Sequence, residues 1–471
     1  MKRLFHSTYQ SDRSKARLGE IHTSHGIIKT PAFVPVGTKG TIKTLLPSLI
    51  PQIGIQVAFV NTYHLVTHPG VDVIEKAGGI HAFTNFNIPL MSDSGGFQVF
   101  SLAKNNNARH HVLNPPHPEG AQAIGLKMMS SHDNNGQRKA DIRGDEQPLV
   151  VKISDDGVKF RSAYDGQLIE FTPETSMEFQ RKIGADLHMA FDECTYYPAT
   201  HTYAEKAMKR THEWLRRCIQ NVKCQKSNIK NKNQNLKVKL NNQPFNSVQG
   251  EQPTTNDYRP TTIDQQHFEF AQCKPTTNDQ YLYGIIQGGT YEDLRKKSAE
   301  FVVSQDVDGV AIGGVSVGET KAEMRDQVAW VADYLPKDKP VHLLGVGQID
   351  DIIDLVKHGI DTFDCVEPTR LARMGTIYQC QMSNDKSTNQ FLKINNKTIQ
   401  IDINKTIYKA DLSKLDSGCN CYVCAHFTKA YVHHLFKQRE ILGYNLATYH
   451  NLWVMERLME KVRECIGNDF I

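Results

Sequence analysis

Eight short apolar runs constrain the fold more than any other feature of this sequence, and most of them end in Gly, Asn, Asp or Gln. In chain order they read AFVPV, QVAFVN, PLMSD, LHMAFD, LYGIIQ, GVAIGG, HLLGVG and DTFDC. Continuous apolar runs bounded by turn residues are typical of parallel strands that are buried on both faces. Helical patterns such as PETSMEFQRKIG and KAEMRDQVAWVADYL fill several of the gaps between them. This alternation predicts an α/β fold with eight strands, a (β/α)8 barrel.

In such a barrel the reactive groups lie at the carboxyl ends of the strands. Here those ends carry Asn61, Asp93, Asp192, Gln287, Gly313, Gly314, Gly345 and Asp364. We therefore expect these residues to converge on one face of the molecule. A doubly wound open sheet is the alternative, but it would spread them along a crevice instead of gathering them.

Composition excludes some classes of protein and permits others. The net charge of +4 and the pI of about 8.4 permit a nucleic-acid partner but do not require one. No run approaches the roughly 20 apolar residues that a membrane span needs, so we expect a cytoplasmic protein with no membrane partner. Ten cysteines in a lysine-rich chain of 471 residues do not resemble a disulfide framework and indicate a reducing compartment.

Three low-complexity segments interrupt the pattern, at about 104–147, 225–280 and 383–397. They are rich in Asn, Gln, Lys or Pro and cannot bury enough apolar surface to offset chain entropy, so we predict mostly disordered inserts. The first should leave from the face that carries Asp93, and the second from the opposite face. We predict a catalytic barrel in 1–382, with inserts at 104–147 and 225–280. Residues 383–471 should form a zinc-binding subdomain and a final helix that packs on the barrel.

A metal site is indicated near the end of the chain, where Cys419, Cys421 and Cys424 form C-x-C-x2-C and His450 follows in TYHN. Three thiolates and one imidazole fill a tetrahedral zinc shell and leave no open position for water, so the metal should be structural. On spacing alone His450 is less certain than the cysteines, because three other histidines lie nearby: His426, His433 and His434.

Three aspartates stand in the polar motifs at the strand ends. Asp364 is followed by Arg370 and Arg373 in FDCVEPTRLARMGT, which suits a carboxylate that attacks a sugar carbon beside a phosphate. Asp93 precedes a Gly-Gly turn that lets backbone approach a flat ligand. Asp192, in FDECT, can accept two hydrogen bonds at once, as the Watson–Crick edge of guanine requires. Each motif alone also fits a turn cap or a buried structural acid.

Taken together, the motifs MSDSGGFQVFSL, FDECT, IIQGG with YEDLR, AIGGVSVGE, FDCVEPTR and CNCYVC with TYHN occur in one order that closely resembles bacterial tRNA-guanine transglycosylases of the queuine tRNA-ribosyltransferase family. The early stretches TPAFVPVGTKGTIKTLLP and NTYHL match as well, and the resemblance covers nearly the whole chain apart from the inserts. It implies an irregular (β/α)8 TIM barrel with a late zinc-binding subdomain, usually in a homodimer. The implied reaction exchanges guanine at the tRNA wobble position for preQ1, a step of queuosine biosynthesis, through a covalent enzyme–tRNA intermediate.

The resemblance also implies a role for each matching residue. Asp364 would be the nucleophile that attacks C1′ of the ribose, and Asp93 the general acid and base. The purine would be bound by Asp192, Gln287 and Gly314, with Ser94, Phe97 and Gln98 in the same pocket and Asn61 orienting Asp93. Arg370 and Arg373 would contact the uridines that flank the target base.

Two further positions bear on the substrate. Cys194 and Val317 resemble the bacterial pocket rather than that of eukaryotic queuine-using relatives, which favours preQ1. Gln348 departs from the family, since many relatives carry a lysine there near the tRNA backbone, and losing a cation should weaken RNA binding slightly. Two alternatives remain open: an archaeal-type relative acting elsewhere on tRNA, and a catalytically inactive, tRNA-binding partner subunit.

Overall fold

The structure is a computed structural model that describes residues 3–96, 149–162, 164–241, 280–379 and 400–471. It divides into two compact units, one formed by Met1–Ile219 with Asn278–Ile471 and the other by Gln220–Thr277.

The described strands and α-helices follow one another along the chain with these bounds. The strands are β1 (Phe5–Gln10), β2 (Arg17–Thr23), β3 (Gly26–Thr30), β4 (Ala32–Pro35), β5 (Ala58–Val60), β6 (Leu90–Ser92), β7 (Leu149–Ile153), β8 (Val158–Arg161), β9 (Leu168–Phe171), β10 (Leu187–Met189), β11 (Tyr281–Ile286), β12 (Gly309–Ile312), β13 (Val341–Leu343), β14 (Thr362–Cys365), β15 (Thr376–Tyr378) and β16 (Gln400–Asp402). The helices are α1 (Ile50–Ile53), α2 (Thr62–Thr67), α3 (Val71–Lys76), α4 (Ile80–Thr84), α5 (Pro173–Ile183), α6 (His201–Asn241), α7 (Glu292–Ser304), α8 (Lys321–Val331), α9 (Ile349–Leu355), α10 (Glu367–Met374), α11 (Tyr422–His426), α12 (Lys429–Gln438) and α13 (Ile441–Gly467).

Eight strands form one parallel sheet in the order β4-β14-β13-β12-β11-β10-β6-β5. The outer strands meet through a parallel bridge between Val36 and Phe59, and the Gly37 amide donates to the Phe59 carbonyl at 2.6 Å. The sheet is therefore a nearly closed barrel, and each of the eight apolar runs supplies one of its strands. The predicted (β/α)8 barrel is confirmed, and the doubly wound alternative is excluded.

Helices begin where the sequence supplies capping residues. In α5 the side chains of Thr172 and Thr175 form a reciprocal capping box, and Pro173 occupies the first turn, where a missing N–H costs nothing. Thr320 and Glu323 make the same capping box at the start of α8. These helices alternate with the strands, so the strands' carboxyl ends all point to one end of the barrel.

A three-stranded antiparallel sheet, β1-β2-β3, covers the other end of the barrel. Its residues Phe5 and Ile21 belong to the same apolar cluster as the barrel residues Met91 and Ala311. The alternation of strands and helices did not predict this sheet. It seals the amino-terminal ends of the strands and leaves the carboxyl-terminal ends for other contacts.

The last helix, α13, packs against the barrel strand β4 and against α10. Asn445 Nδ2 donates to the Thr44 carbonyl at 2.6 Å, and an Arg463 guanidinium N–H donates to the Pro31 carbonyl at 2.7 Å. These contacts agree with a final helix that packs on the barrel, while the division at 382/383 stays a prediction.

Most of the predicted inserts fall outside the described residues. That holds for 104–147, for 242–280 except Gln280, and for 383–397. Residues 225–241, at the start of the second predicted insert, are the final part of α6 and are helical. Among the helices described, none combines the length and the apolar composition that a membrane crossing demands.

Candidate functional site

Asp364 lies in β14, and two donors hold its carboxylate, one from β13 and one from the segment that follows β13. The Gly345 amide donates to Oδ1 at 2.8 Å, and His342 Nε2 lies 3.2 Å from the same oxygen. His342 is fully buried, and its Nδ1 is 2.8 Å from Thr362 Oγ1. Both contacts use Oδ1. A Cβ built on Gly345 would meet no heavy atom within 4 Å among the described residues, so open space adjoins Gly345.

Asp93 follows β6 and is fixed by the residues that follow β5. Asn61 Nδ2 donates to its Oδ2 at 2.5 Å, and the Thr62 amide donates to its Oδ1 at 2.6 Å. The Gly95 amide adds a bond to Oδ1 at 3.2 Å, and Thr62 Oγ1 donates to the Asp93 backbone carbonyl. Within the described residues, four donors therefore fix both the backbone and the carboxylate of Asp93, and the contact with Asn61 is the one that its predicted role requires.

Asp192 follows β10 and is buried, with 6% of its surface exposed. Ser94 Oγ donates to Oδ1 at 2.9 Å, and Gln287 Nε2 donates to Oδ2 at 2.7 Å. Burial raises the pKa of this carboxyl to about 6; the bonds from Gln287 and Ser94 lower it, while the charges of Asp93 and Glu193 raise it. Because Ser94 directly follows Asp93 and bonds to Asp192, these two carboxylates lie in one region.

Gln287 offers a second, unused acceptor beside Asp192. Its Oε1 is buried and has no hydrogen-bond partner among the described residues. Gly314, with φ +62°, passes so close that a Cβ there would lie 2.2 Å from this oxygen. Glycine is therefore favoured at position 314 both by backbone conformation and by space. The pocket presents acceptors that a ligand rich in N–H groups would satisfy.

Arg295, on α7, is a residue of this region that the motifs did not single out, although it is the arginine of YEDLR. It is fully buried, and it donates to the carbonyls of Gly313 at 2.6 Å and Gly314 at 2.7 Å. His342 was missed too; its only sequence signal is that it opens the apolar run HLLGVG. Glu193, the acid beside Asp192, is committed to an ion pair with Arg210 at 2.5 Å.

Arg370 and Arg373 lie on α10, which starts directly after the strand that carries Asp364. Both are partly buried, and an Arg373 guanidinium N–H donates to the Thr369 carbonyl at 2.7 Å. In the first turn of the same helix Glu367 accepts a bond from Gln348 Nε2 at 3.0 Å, and burial raises the pKa of Glu367. Cations and a half-buried carboxyl thus flank the Asp364 strand end.

The predicted residues Phe97 and Gln98 lie outside the described residues. Of the others, Asn61, Asp93, Ser94, Asp192, Gln287, Gly314 and Asp364 all lie at the carboxyl-terminal end of the barrel. Hydrogen bonds join Asn61 to Asp93, and Asp192 to Ser94 and Gln287. Asp364 is linked to none of these by a described hydrogen bond and belongs to the group through the shared end of the barrel.

The metal-site prediction brings Cys419, Cys421, Cys424 and His450 together, with all ligand atoms within 4.8 Å of one another and all four residues buried. His450 Nδ1 is 3.5 Å from Cys421 Sγ and 3.3 Å from Cys424 Sγ. Its Nε2 lies 2.8 Å from the Tyr378 carbonyl, which can only accept, so Nε2 carries the proton and Nδ1 directs its lone pair at the thiols. This group fits a tetrahedral metal ion.

The other candidate histidines are used elsewhere. His433 Nδ1 contacts the Ile403 carbonyl at 2.7 Å, and His426 is exposed with its Nδ1 2.8 Å from the Tyr422 carbonyl. His434 is not part of the cluster. The structure thus selects His450 from the histidines that the spacing left open.

A second group of side chains with metal-binding atoms lies at the opposite end of the barrel, where His25 and His81 contact Asp186. His25 Nδ1 is 2.8 Å from Asp186 Oδ1, and His81 Nε2 is 3.3 Å from Oδ2. The two imidazoles are stacked, with ring centroids 3.5 Å apart and planes inclined by 10°. Rings stacked in parallel planes do not aim two in-plane lone pairs at one ion, so this group is a hydrogen-bonded cluster rather than a metal site.

Sequence comparisons find the same family along the whole chain. A sequence model of the family described as queuine tRNA-ribosyltransferase matches residues 12–122, 105–265 and 251–470. A protein of that name from Caldanaerobacter subterraneus subsp. tengcongensis is 37% identical over 457 residues, covering 97% of this chain and 92% of its own length. Relatives from Thermoanaerobacter pseudethanolicus and Aquifex aeolicus, with the same name, are each 38% identical, covering 98% and 96% of this chain and 92% of their own lengths.

Proposed function

The chain belongs to the queuine tRNA-ribosyltransferase family, and we propose that it exchanges guanine at the wobble position of tRNA for preQ1 through a covalent enzyme–tRNA intermediate. The observation that carries the proposal is the presence of three buried aspartates at one end of the barrel, each held differently. Asp364 is held through one oxygen, Asp93 is fixed by four donors, and Asp192 sits beside an unused acceptor.

Asp364 is the nucleophile in this proposal. Its Oδ1 is engaged by Gly345 and His342, which leaves Oδ2 to approach the ribose. Attack forms a bond between this oxygen and C1′ and breaks the glycosidic bond, whose electron pair leaves with guanine. The incoming base, preQ1, then attacks C1′, and the bond between C1′ and Asp364 breaks. The chemistry parallels that of retaining glycosidases, with a base in place of water as the acceptor.

Asp93 is the general acid and base. It gives a proton to the departing guanine and takes one from the incoming base, so its charge is restored at the end of the cycle. Asn61, Thr62 and Gly95 donate to its carboxylate and fix its direction. Positioning of this kind accounts for a large share of the rate in general acid–base catalysis.

Asp192 and Gln287 recognise the purine, with Gly314 lining the same wall. Above a pH of about 6 the Asp192 carboxylate is ionised and accepts from the N1–H and exocyclic N–H of guanine or preQ1. Ser94 supports this carboxylate, and Phe97 and Gln98 complete the pocket in the proposal. Cys194 and Val317 give the pocket its bacterial type and favour preQ1 over queuine.

Arg370 and Arg373, on the helix after Asp364, bind the nucleotides that flank the target. A target base has to leave its stack to enter such a pocket, which is cheapest in a loop such as the anticodon loop. We propose tRNA with a wobble guanine as the macromolecular partner, a homodimeric enzyme, and a cytoplasmic location.

Zinc fits the Cys419, Cys421, Cys424 and His450 cluster. When bound, it would supply a structural crosslink between the cysteine loop and α13, with no open position for substrate. Asn451, next to His450, donates to the carbonyls of Pro368 at 3.1 Å and Thr376 at 3.0 Å. The metal site is therefore coupled to the helix that carries Arg370 and Arg373. Metal analysis of the purified protein should find about one zinc per chain, and a protein without metal would refute the assignment.

Base exchange tests the proposal directly. Incubation of the protein with tRNA that has a wobble guanine and with labelled guanine should move label into the RNA, and unlabelled preQ1 should compete. A matched tRNA with adenine at the wobble position should take up no label. Binding of tRNA without any incorporation would favour the inactive-subunit alternative, and label elsewhere in the RNA would favour the archaeal-type one.

A further inference from the structure

Arg295 is a fully buried arginine that donates hydrogen bonds to the backbone and side chains around the proposed base pocket. It makes five described bonds, all to carbonyl oxygens. Four of these oxygens belong to the backbone, one at the last residue of β11 and three in the segments that follow β11 and β12, and the fifth is Gln327 Oε1 at 2.6 Å. The guanidinium N–H groups of Arg295 therefore hold two loops through their carbonyls, whereas arginine commonly binds a carboxylate in bidentate fashion.

The bonds reach both sides of the pocket wall. The Nε atom donates to the Gly289 carbonyl at 2.7 Å, and the terminal nitrogens donate to the carbonyls of Gly313 at 2.6 Å and Gly314 at 2.7 Å. A longer bond of 3.4 Å reaches the Ile286 carbonyl, directly before Gln287. A single side chain thus joins the segment that carries Gln287 to the segment that carries Gly314.

The same helix fixes Gln287 from its other side. Ser298, one turn after Arg295 on α7, accepts a bond from the Gln287 amide at 3.1 Å. The Gly313 amide in turn donates to the Ile286 carbonyl at 3.0 Å. The backbone on both sides of Gln287 is therefore held, and its side chain is directed toward Asp192.

Holding a carbonyl also sets the direction of the next amide. In a planar trans peptide the C=O and the following N–H point in opposite directions. Because Arg295 binds the carbonyls of Gly313 and Gly314, the N–H groups of Gly314 and Val315 point away from it. Gly314, at φ +62°, has little other restraint on its conformation, since glycine visits many backbone states.

We infer that Arg295 is a positioning residue for base recognition, which directs the N–H groups of the β12 loop and the side chain of Gln287 at the purine. The inference rests on the proposed function. Burial lowers the pKa of Arg295 to about 10, with the charge of Glu319 opposing that effect, so the guanidinium keeps its charge at neutral pH. A fixed positive charge behind the loop also strengthens these N–H groups as donors to a purine carbonyl.

The competing interpretation is that Arg295 only stabilises the fold. Arg17 provides a matched control for it. Arg17 is also buried, and it donates to the carbonyls of Pro336, Lys337 and Lys339 and to the carboxylate of Asp361. These contacts lie at the amino-terminal end of the barrel. Loss of either guanidinium should lower stability, but only one of the two should change base recognition.

The test compares Arg295→Lys with Arg17→Lys. Lysine keeps the charge and loses the fork, so several carbonyls lose their donor. For Arg295→Lys we expect the Kd for guanine, measured by calorimetry, and the KM for guanine in base exchange to rise about ten-fold or more, with kcat at saturating guanine falling less than about three-fold. For Arg17→Lys both constants should stay within about two-fold of wild type while Tm falls. Equal effects of the two changes on guanine Kd, or an unchanged Kd in Arg295→Lys, would overturn the inference.

A second variant decides the matter if Arg295→Lys does not fold. Gln327→Met removes the oxygen that accepts from Arg295, together with an amide nitrogen that is buried and has no described partner, and it keeps all four backbone carbonyls that hold the guanidinium. We expect the Kd for guanine to rise about three-fold, and no change would count against the inference. Calorimetry keeps this question separate from the proposed function: a wild-type protein that binds guanine but exchanges none would refute the transferase proposal alone.

Discussion

A buried aspartate lies on each side of strand β10, and the surroundings shift the pKa values of the two carboxyls in opposite directions. Asp186 comes directly before the strand and accepts from His25, His81 and the Leu90 amide. Burial by itself would raise the pKa of Asp186, but the hydrogen bonds from the two histidines outweigh it, and the pKa lies well below its usual value. Asp192 comes after the strand and has its pKa raised to about 6 by the same kind of burial.

The difference separates stability from function within one barrel. At the amino-terminal end the buried charge of Asp186 is met by His25, His81 and the Leu90 amide. At the carboxyl-terminal end Asp192 is incompletely compensated, and Gln287 Oε1 beside it has no described partner. A ligand that supplies donors would complete this site. The uncompensated groups at the proposed ligand site therefore lower the stability of the folded protein, as is common at functional sites.

The two aspartates also give opposite pH dependences. A carboxyl whose folded pKa is raised binds its proton more tightly in the folded state, so its contribution to stability falls as pH rises from about 4 to about 6. For Asp192 a shift from 3.8 to about 6 corresponds to roughly 3 kcal/mol lost at neutral pH. Asp186 has a lowered pKa, so its stabilising contribution is present above about pH 4 and is lost as pH falls below that value.

The largest expected effect is on catalysis at the carboxyl-terminal end. Asp93→Asn removes the transferable proton but keeps a group of the same shape for its donors, so base exchange should fall about thousand-fold with the fold retained. Steady-state exchange of labelled guanine measures the effect. The matched change at the other end, Asp186→Asn, should leave turnover within about two-fold of wild type. Similar losses of turnover in both variants would contradict the division between the two ends.

Asp192→Asn should change stability and binding in opposite directions. The amide can still meet Ser94 and Gln287 but carries no charge, so the free energy of unfolding should rise by up to about 3 kcal/mol at pH 7.5. The gain should shrink as pH falls and vanish below about pH 3, where the wild-type carboxyl is protonated in both states. Affinity for guanine should fall about hundred-fold, because a charged acceptor for two N–H groups is lost. Urea unfolding at the two pH values and calorimetry test both parts, and a less stable variant at pH 7.5 would argue against the raised pKa.

Asp186→Asn should lower stability instead. The variant loses charged hydrogen bonds to His25 and His81, which should cost about 2–3 kcal/mol at pH 7. Urea unfolding in parallel with Asp192→Asn makes the comparison direct, since the same chemical change at the two ends of β10 should have opposite signs. Two changes of the same sign would mean that the ends are not electrostatically distinct.

The smallest effect is expected for Gln348→Lys, which adds a cation beside Glu367 at the carboxyl-terminal end. The KM for tRNA should fall about two- to three-fold at low salt, and the dependence of log affinity on log salt should steepen by up to about one. Ile27→Lys adds the same charge on an exposed position of β3, at the opposite end, and should leave both quantities unchanged. An equal response to the two lysines would indicate non-specific attraction of RNA.

The barrel and the polar ends of its strands could be predicted because both are local patterns. Each of the eight apolar runs carries its own periodicity and its own terminal residue, and the cysteines of the metal site lie within six positions of one another. The sheet β1-β2-β3 was not predicted, because what buries it is the far end of the barrel rather than any pattern within 5–30.

The residues that hold the site were harder to find, because their partners are distant in sequence. His342 acts on Asp364 across two strands, and Arg295 acts through carbonyls of Gly313 and Gly314. Every residue has a backbone carbonyl, so the sequence does not show which carbonyls an arginine binds. An arginine that binds only carbonyls therefore belongs to no recognisable motif. The choice of His450 likewise depended on the carbonyl of Tyr378, which orients the ring.

Mapping of the covalent adduct tests the central claim most directly, namely that Asp364 bonds the sugar of the nucleoside whose base enters the pocket beside Asp93 and Asp192. The protein is incubated with tRNA, denatured, digested with nuclease and protease, and examined by mass spectrometry. The account predicts a ribonucleotide remnant without its base on the peptide that contains Asp364, and no adduct in Asp364→Asn. A remnant on another residue, or an adduct that persists in Asp364→Asn, would contradict it.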